Sequence, residues 1–191
     1  IENEYIMSPK DLCTLPFLDK VLDAGVKILK IEGRGRSPEY TKVTVGVYSE
    51  AVKAIQNGEF TEEKIAQWTE RLRSVYNRDF WDGYYLGRKM GEWTQRYGSQ
   101  ATKTKIFVGT VTNFFAKINV AEIRMETQDL KVGDDIMIIG PTTGVYEDKV
   151  SEIRVDLKPV ESTEKGELCS IPVKDVIRRG DKVYKVIDGE S

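Results

Sequence analysis

The chain has 191 residues, 40% of them hydrophobic and 31% charged, which suffices for a core in one or two small domains and excludes a disordered tail. With 29 basic against 31 acidic side chains the net charge is −2, so any site for a polyanion must be local rather than global. Histidine is absent, which removes Ser-His-Asp and Cys-His nucleophilic systems, and the only two cysteines, Cys13 and Cys169, exclude a disulfide framework or a self-contained thiolate zinc site.

No apolar stretch reaches the roughly 20 residues that a membrane helix needs, and the opening residues lack a secretory pattern, so a cytoplasmic protein is expected. Ser8-Pro9-Lys10-Asp11 has the form of a helix start, with Ser8 as N-cap. Leu12, Leu15, Leu18, Val21 and Leu22 follow at helical spacing, and Gly25 closes the helix. Val26 to Ile31 reads as a brief strand, broken by Glu32-Gly33-Arg34-Gly35-Arg36. Ser37-Pro38-Glu39 caps a second helix with Val43, Val47, Ala51, Val52 and Ile55 on one face, ending at Asn57-Gly58. A lone strand between two helices has no neighbour for its backbone groups, so these residues read as the tail of a larger α/β layer. Thr61 caps a third helix, predicted to run to about Val75 with Ile65, Trp68 and Leu72 inward. Tyr76 to Gly98, rich in glycine and aromatic residues, shows no clean period and reads as an ordered linker.

From Lys105 the period becomes that of strands. Ile106 to Phe115, Ile118 to Met125, Asp135 to Ile139, Tyr146 to Val155 and Lys182 to Ile187 are the predicted strands, with turns at Gly133-Asp134, Gly140-Pro141, Thr143-Gly144, Lys165-Gly166 and Gly180-Asp181. Short strands in such number suggest a small closed β-barrel, which leaves no exposed edge. The predicted organisation is α+β: an α/β edge over residues 1–57, a helical and aromatic-rich linker over 58–104 and a small β-barrel over 105–191.

Three stretches resemble peptidase family U32, the collagenase-like peptidases: Met7-Ser8-Pro9-Lys10-Asp11-Leu12-Cys13 with Lys30-Ile31-Glu32-Gly33-Arg34-Gly35-Arg36-Ser37-Pro38-Glu39-Tyr40; Val75-Tyr76-Asn77-Arg78-Asp79-Phe80 with Gly83-Tyr84-Tyr85-Leu86-Gly87; and Val108-Gly109-Thr110-Val111 at the start of the β region. The resemblance implies an upstream TIM-like catalytic domain of which residues 1–57 are the closing edge, and a C-terminal barrel similar to the second domain of translation elongation factors. It implies peptidase activity or, as in some members, hydroxylation of transfer or ribosomal RNA, with an iron–sulfur cluster on cysteines. No catalysis is expected from the chain alone.

Cys13 is the expected metal residue. One thiolate cannot hold an iron–sulfur cluster, so by resemblance Cys13 is one ligand of a set completed upstream, and by its residue type alone it is a buried apolar side chain. Glu32, Arg34 and Arg36, in a glycine-containing turn before a helix, form a candidate anion or substrate site; the alternative is an internal ion pair and a plain helix start. Between residues 71 and 105, basic side chains alternate with rings, and Arg88, Lys89 and Arg96 are the expected RNA contacts, while most of the rings are expected to pack. Adjacent acids such as Glu62-Glu63 and Asp134-Asp135 are helix-start or turn elements. Two functions remain open: an accessory region assisting RNA hydroxylation by an upstream domain, or the region of a peptidase that recognises an extended polypeptide.

Overall fold

Leu15, Leu18, Val47, Ala51, Trp68 and Leu72 draw the helical part of the chain around one apolar cluster. The computed structural model describes residues 9–87, 91–94 and 98–189. It divides into two units, the first up to Thr102 and the second Lys103–Gly189.

The first unit departs from the expected helix start. Asp11–Leu12 is a two-residue strand, β1, and Ser8 lies outside the described residues. A 3-10 turn at Leu15–Phe17 then leads into α1, Leu18–Asp23. The proline rule holds, but at Pro16, because the backbone around Pro9 is drawn into pairing with residues far along the chain. Lys10 N donates to Glu92 O at 3.1 Å, while Asp11 N and Cys13 N donate to Asp79 O and Trp81 O at 2.8 and 2.9 Å. Consecutive N–H groups of an extended chain point to opposite sides, so the 9–13 stretch is flanked by residues 79–81 on one side and 92–93 on the other. Phe80–Trp81 forms β2, which runs parallel to β1.

Val26 to Ile31 forms no strand; Ile28 is 86% exposed and the stretch pairs with nothing among the described residues. The alternation is present but no strand lies beside it to take up its N–H and C=O groups, so pairing fails. Helix α2, Pro38–Gln56, begins after Ser37 and stops at Asn57 before Gly58, as the cap residues predict. Helix α3, Glu62–Arg73, starts at Thr61, whose hydroxyl accepts from Lys64 N at 3.4 Å. Its last turn ends before Val75, where Asn77 Nδ2 instead donates to Arg73 O and Val75 O at 3.2 and 2.9 Å. Glu50 of α2 locks the helix pair, accepting from Trp68 Nε1 at 3.0 Å and Arg71 Nη2 at 2.9 Å.

The second unit is one antiparallel sheet of eight strands: β3 (Lys103–Phe115), β4 (Val120–Met125), β5 (Asp135–Gly140), β6 (Gly144–Lys149), β7 (Ile153–Val155), β8 (Lys158–Val160), β9 (Leu168–Pro172) and β10 (Lys182–Asp188). Their order is β6-β5-β10-β3-β4-β9-β7-β8. Val108, Ile123, Leu130, Ile138, Ile153, Ile171 and Val183 are fully buried in a single core, so the sheet rolls around its own inner face. Past β8, Thr163 N donates to Leu130 O at 2.9 Å and Val132 N to Glu161 O at 3.0 Å, which ties one edge of the sheet to the stretch entering β5. The expected strand Tyr146 to Val155 divides in two, because Val150 turns inward and exchanges backbone bonds with Gly133 and Asp134. Strands β8 and β9 are additions to the predicted set.

Candidate functional site

The two motif stretches nearest in character, Pro9 to Cys13 and Tyr76 to Phe80, meet at β1 and β2. Asp11 is their junction: its carboxylate accepts from Arg36 Nη2 at 3.1 Å and from Arg78 N at 2.9 Å, and lies 3.7 Å from Arg78 Nε. The Arg36 guanidinium sits 4.2 Å from the Tyr76 ring centroid and 5.4 Å from that of Tyr40. Arg78 Nε is itself buried without a hydrogen-bond partner. Beside this, Lys10 Nζ reaches Asp79 and Glu92, each at 3.0 Å. Those two acceptors hold the lysine above its ordinary pKa. Burial pushes the Asp79 carboxyl up, but the bonds from Lys10 and Phe80 N outweigh it and leave the group below the usual carboxylate range. Asp79 adopts φ +66°, a left-handed conformation that Asp tolerates when its side chain bonds its own backbone, and Phe80 N donates to Asp79 Oδ1 at 2.9 Å.

Of the expected site residues, Glu32, Arg34, Arg36 and Cys13 lie within the described residues. Glu32 accepts from Arg34 N at 2.7 Å in an exposed turn, and Arg34 is exposed. Arg36 turns away from both, toward Asp11 and the two rings. The α2 N-terminus already carries an acid in its first turn, Glu39, which answers the helix dipole. Cys13 is 7% exposed in the helical core, with Tyr48 Oη 3.9 Å from Sγ. Burial pushes its thiol up, against the backbone of Leu15, the Tyr48 hydroxyl and the charge of Arg73. No group of three potential metal ligands occurs among the described residues, and a single thiolate cannot hold an iron–sulfur cluster by itself. Arg88, Lys89 and Arg96 lie outside the described residues. Asp11, Arg78, Lys10 and Glu92 were not singled out from sequence; the coincidence of two motif stretches was the available signal, and only the parallel pairing joins them.

Next to β1 and β2, Leu12, Trp81, Gly83, Tyr84 and Tyr85 line an open cavity of about 470 Å³. Leu12, Tyr84 and Tyr85 are 53%, 62% and 65% exposed and form an apolar patch. Trp81 and Tyr84 pack edge to face at 5.2 Å. The arrangement is a braced scaffold with an apolar recess, and it brings no nucleophile together with an activating base.

Residues 1–95 match the model of peptidase family U32. The chain belongs to peptidase family U32. It is 54% identical over 185 residues to a collagenase of Porphyromonas gingivalis, covering 97% of this chain and 45% of that protein. It is 32% identical over 140 residues to tRNA hydroxylation protein P1 of Bacillus subtilis, covering 72% of this chain and 32% of that protein. Among solved structures, the C-terminal domain of a Geobacillus thermoleovorans protein described as a U32 peptidase matches 41% of this chain and 90% of that domain, at 15% identity and a TM-score of 0.40. The U32 chain thus spans about half the length of the curated relatives it matches. Among its described residues no helix is long and apolar enough to cross a membrane.

Proposed function

We propose that this U32 chain is the accessory region of a larger cytoplasmic enzyme that hydroxylates transfer or ribosomal RNA, the chemistry residing in a catalytic domain outside these residues. The observation that carries the reading is the parallel pair β1–β2, two residues long, with exposed Leu12, Tyr84 and Tyr85 beside it. Parallel strands are found in α/β layers covered on both faces, and so short a pair with an apolar flank is the edge of such a layer. On this reading residues 1–57 border a TIM-like domain, and the rolled sheet of the second unit is a barrel of the elongation-factor domain 2 kind. Glu32 and Arg34 then face the substrate side, with Arg36 held back by Asp11 as a brace. Any iron–sulfur cluster takes its thiolates from cysteines outside this chain, with Cys13 contributing at most one.

The similarity to tRNA hydroxylation protein P1 over 140 residues supports RNA as the substrate. Binding of the chain to transfer RNA, measured by fluorescence anisotropy beside a triple Ala variant of Arg88, Lys89 and Arg96, tests it: saturable binding that weakens in the variant is expected. A second reading, in which the parent enzyme is a peptidase and this region recognises extended polypeptide, is favoured by the 54% identity to the Porphyromonas gingivalis collagenase. Retention on immobilised gelatin, with no binding of transfer RNA, would decide for it.

A further inference from the structure

Phe107 and Tyr184 lie on β3 and β10, two adjacent interior strands of the second unit, yet neither belongs to its core cluster. They are partners in register, with ring centroids 5.8 Å apart and planes at 65°. Every second residue of a strand shares a face, so Lys105 stands with Phe107 and Lys182 with Tyr184 on the outside of the sheet. Each lysine crosses to the ring of the other strand: Lys105 Nζ lies 5.1 Å from the Tyr184 centroid, and Lys182 Nζ 5.4 Å from that of Phe107. Lys182 Nζ also donates to Thr110 Oγ1 at 2.9 Å. Thr110 is the register partner of Lys182 on one side and of exposed Arg124 on the other, so the row of cations continues onto β4.

Acids border this face as well, Glu126 among them, whose N–H donates to Val108 O at 2.8 Å. Asp135 pairs with Lys149 at 3.2 Å, and Glu122 accepts from Thr112 at 2.7 Å. Asp188 stands opposite Lys103 and bounds the patch at the β3 start. The face carries a pair of rings already seated against cations, with a third cation one strand away. Single-stranded nucleic acid is held by the same two elements, rings that stack on unpaired bases and cations that neutralise the phosphates between them.

We infer that the outer face of β10, β3 and β4 is a binding surface for single-stranded nucleic acid, with a base on the Phe107–Tyr184 pair and phosphates at Lys105, Lys182 and Arg124. The inference rests on the RNA reading above and names a surface distinct from Arg88, Lys89 and Arg96. The test titrates the 191-residue chain into fluorescein-labelled oligo(U), oligo(dT) and whole transfer RNA at several salt concentrations. Binding of oligo(U) is expected, about ten-fold weaker in the double variant Lys105→Ala/Lys182→Ala, with the log–log salt slope reduced by about 1.4, the value for two phosphate contacts on a single strand. Tyr184→Leu should weaken binding at least about five-fold, whereas Tyr184→Phe keeps the ring and the affinity. Equal unfolding midpoints across these variants keep the comparison one of binding.

Transfer RNA bound equally by wild type and all these variants would overturn this surface and leave the RNA reading standing. No binding of either oligonucleotide or of transfer RNA would overturn both. Tighter binding of oligo(dT) than of oligo(U), lost in the same variants, would support the surface while turning it from RNA toward DNA. Gelatin bound through these residues, with neither oligonucleotide bound, would overturn the inference in favour of a polypeptide.

Discussion

Asp11 and Arg36 are 25 residues apart in sequence and meet at 3.1 Å, through a side chain that is mostly buried on both partners. The same carboxylate takes the N–H of Arg78, so one acid holds together the β1 strand, the α2 entrance and the turn before β2. Replacing Asp11 by Ala strips both donors of their acceptor and leaves two guanidinium groups facing each other. The first unit should lose about 1–3 kcal/mol, read as a lowered urea midpoint, with Asp11→Asn intermediate because its amide still accepts. An unchanged midpoint in Asp11→Ala would mean that the junction adds nothing to the fold.

Gly140 makes a sharper prediction in the second unit. A Cβ there would stand 1.8 Å from Asp181 Oδ1, and Asp181 is buried while its carboxylate accepts from Thr143 Oγ1 at 2.5 Å and Arg178 N at 2.8 Å. The side chain cannot swing aside without giving up those bonds. Gly140→Ala should therefore cost about 3 kcal/mol, at the upper end for overpacking, and thermal unfolding followed by circular dichroism reads it.

The opposite sign is expected at the β7–β8 turn. Asp156 and Leu157 occupy φ +49° and +64°, the pair of left-handed positions of a two-residue hairpin that Asn-Gly fills without strain. Leu157 is 85% exposed, so no contact offsets the strain. Leu157→Gly should raise stability by about 0.5–1 kcal/mol in a denaturation series, the relief of a left-handed leucine exceeding the extra freedom of glycine in the unfolded chain. A loss of stability would place hidden contacts on this leucine.

The same turn explains part of what the sequence concealed. Helices α2 and α3 were legible because Ser37-Pro38 and Thr61 mark their starts and Asn57-Gly58 marks a stop, all local chemistry. The β7–β8 hairpin has no Gly or Asn in its Asp156–Leu157 turn, so the return strand β8 left no mark in the sequence. The 26–31 stretch erred the other way: its pattern was right for a strand, and no partner lies beside it among the described residues. At the site, Arg36 was found but assigned outward, because its acceptor, Asp11, comes into reach only through pairing with residues near position 80. Long-range pairs of two residues leave no periodic trace.

Cys169 supplies a prediction in pH. It is buried on β9, opposite Ile123 of β4, and its thiol is pushed up to about 12 by burial and then by the nearby Glu167 carboxylate, from an ordinary 9.0. The native state thus keeps the proton at pH values where the unfolded chain has released it. Stability contributed by this group is whole below about pH 9 and falls as pH rises toward 12, with a limiting slope on the order of 1.4 kcal/mol per pH unit. Tyr146, also pushed up to about 12 by burial and by Asp148, adds a loss of the same sign beginning near its ordinary 10.0. The urea midpoint should therefore decline between pH 9 and 12, and the variant Cys169→Ala, though less stable at pH 8 for its lost sulfur contacts, should decline less steeply than wild type. Parallel curves for the two proteins would show that Cys169 does not titrate between the folded and unfolded states, and would leave the alkaline loss to the tyrosines.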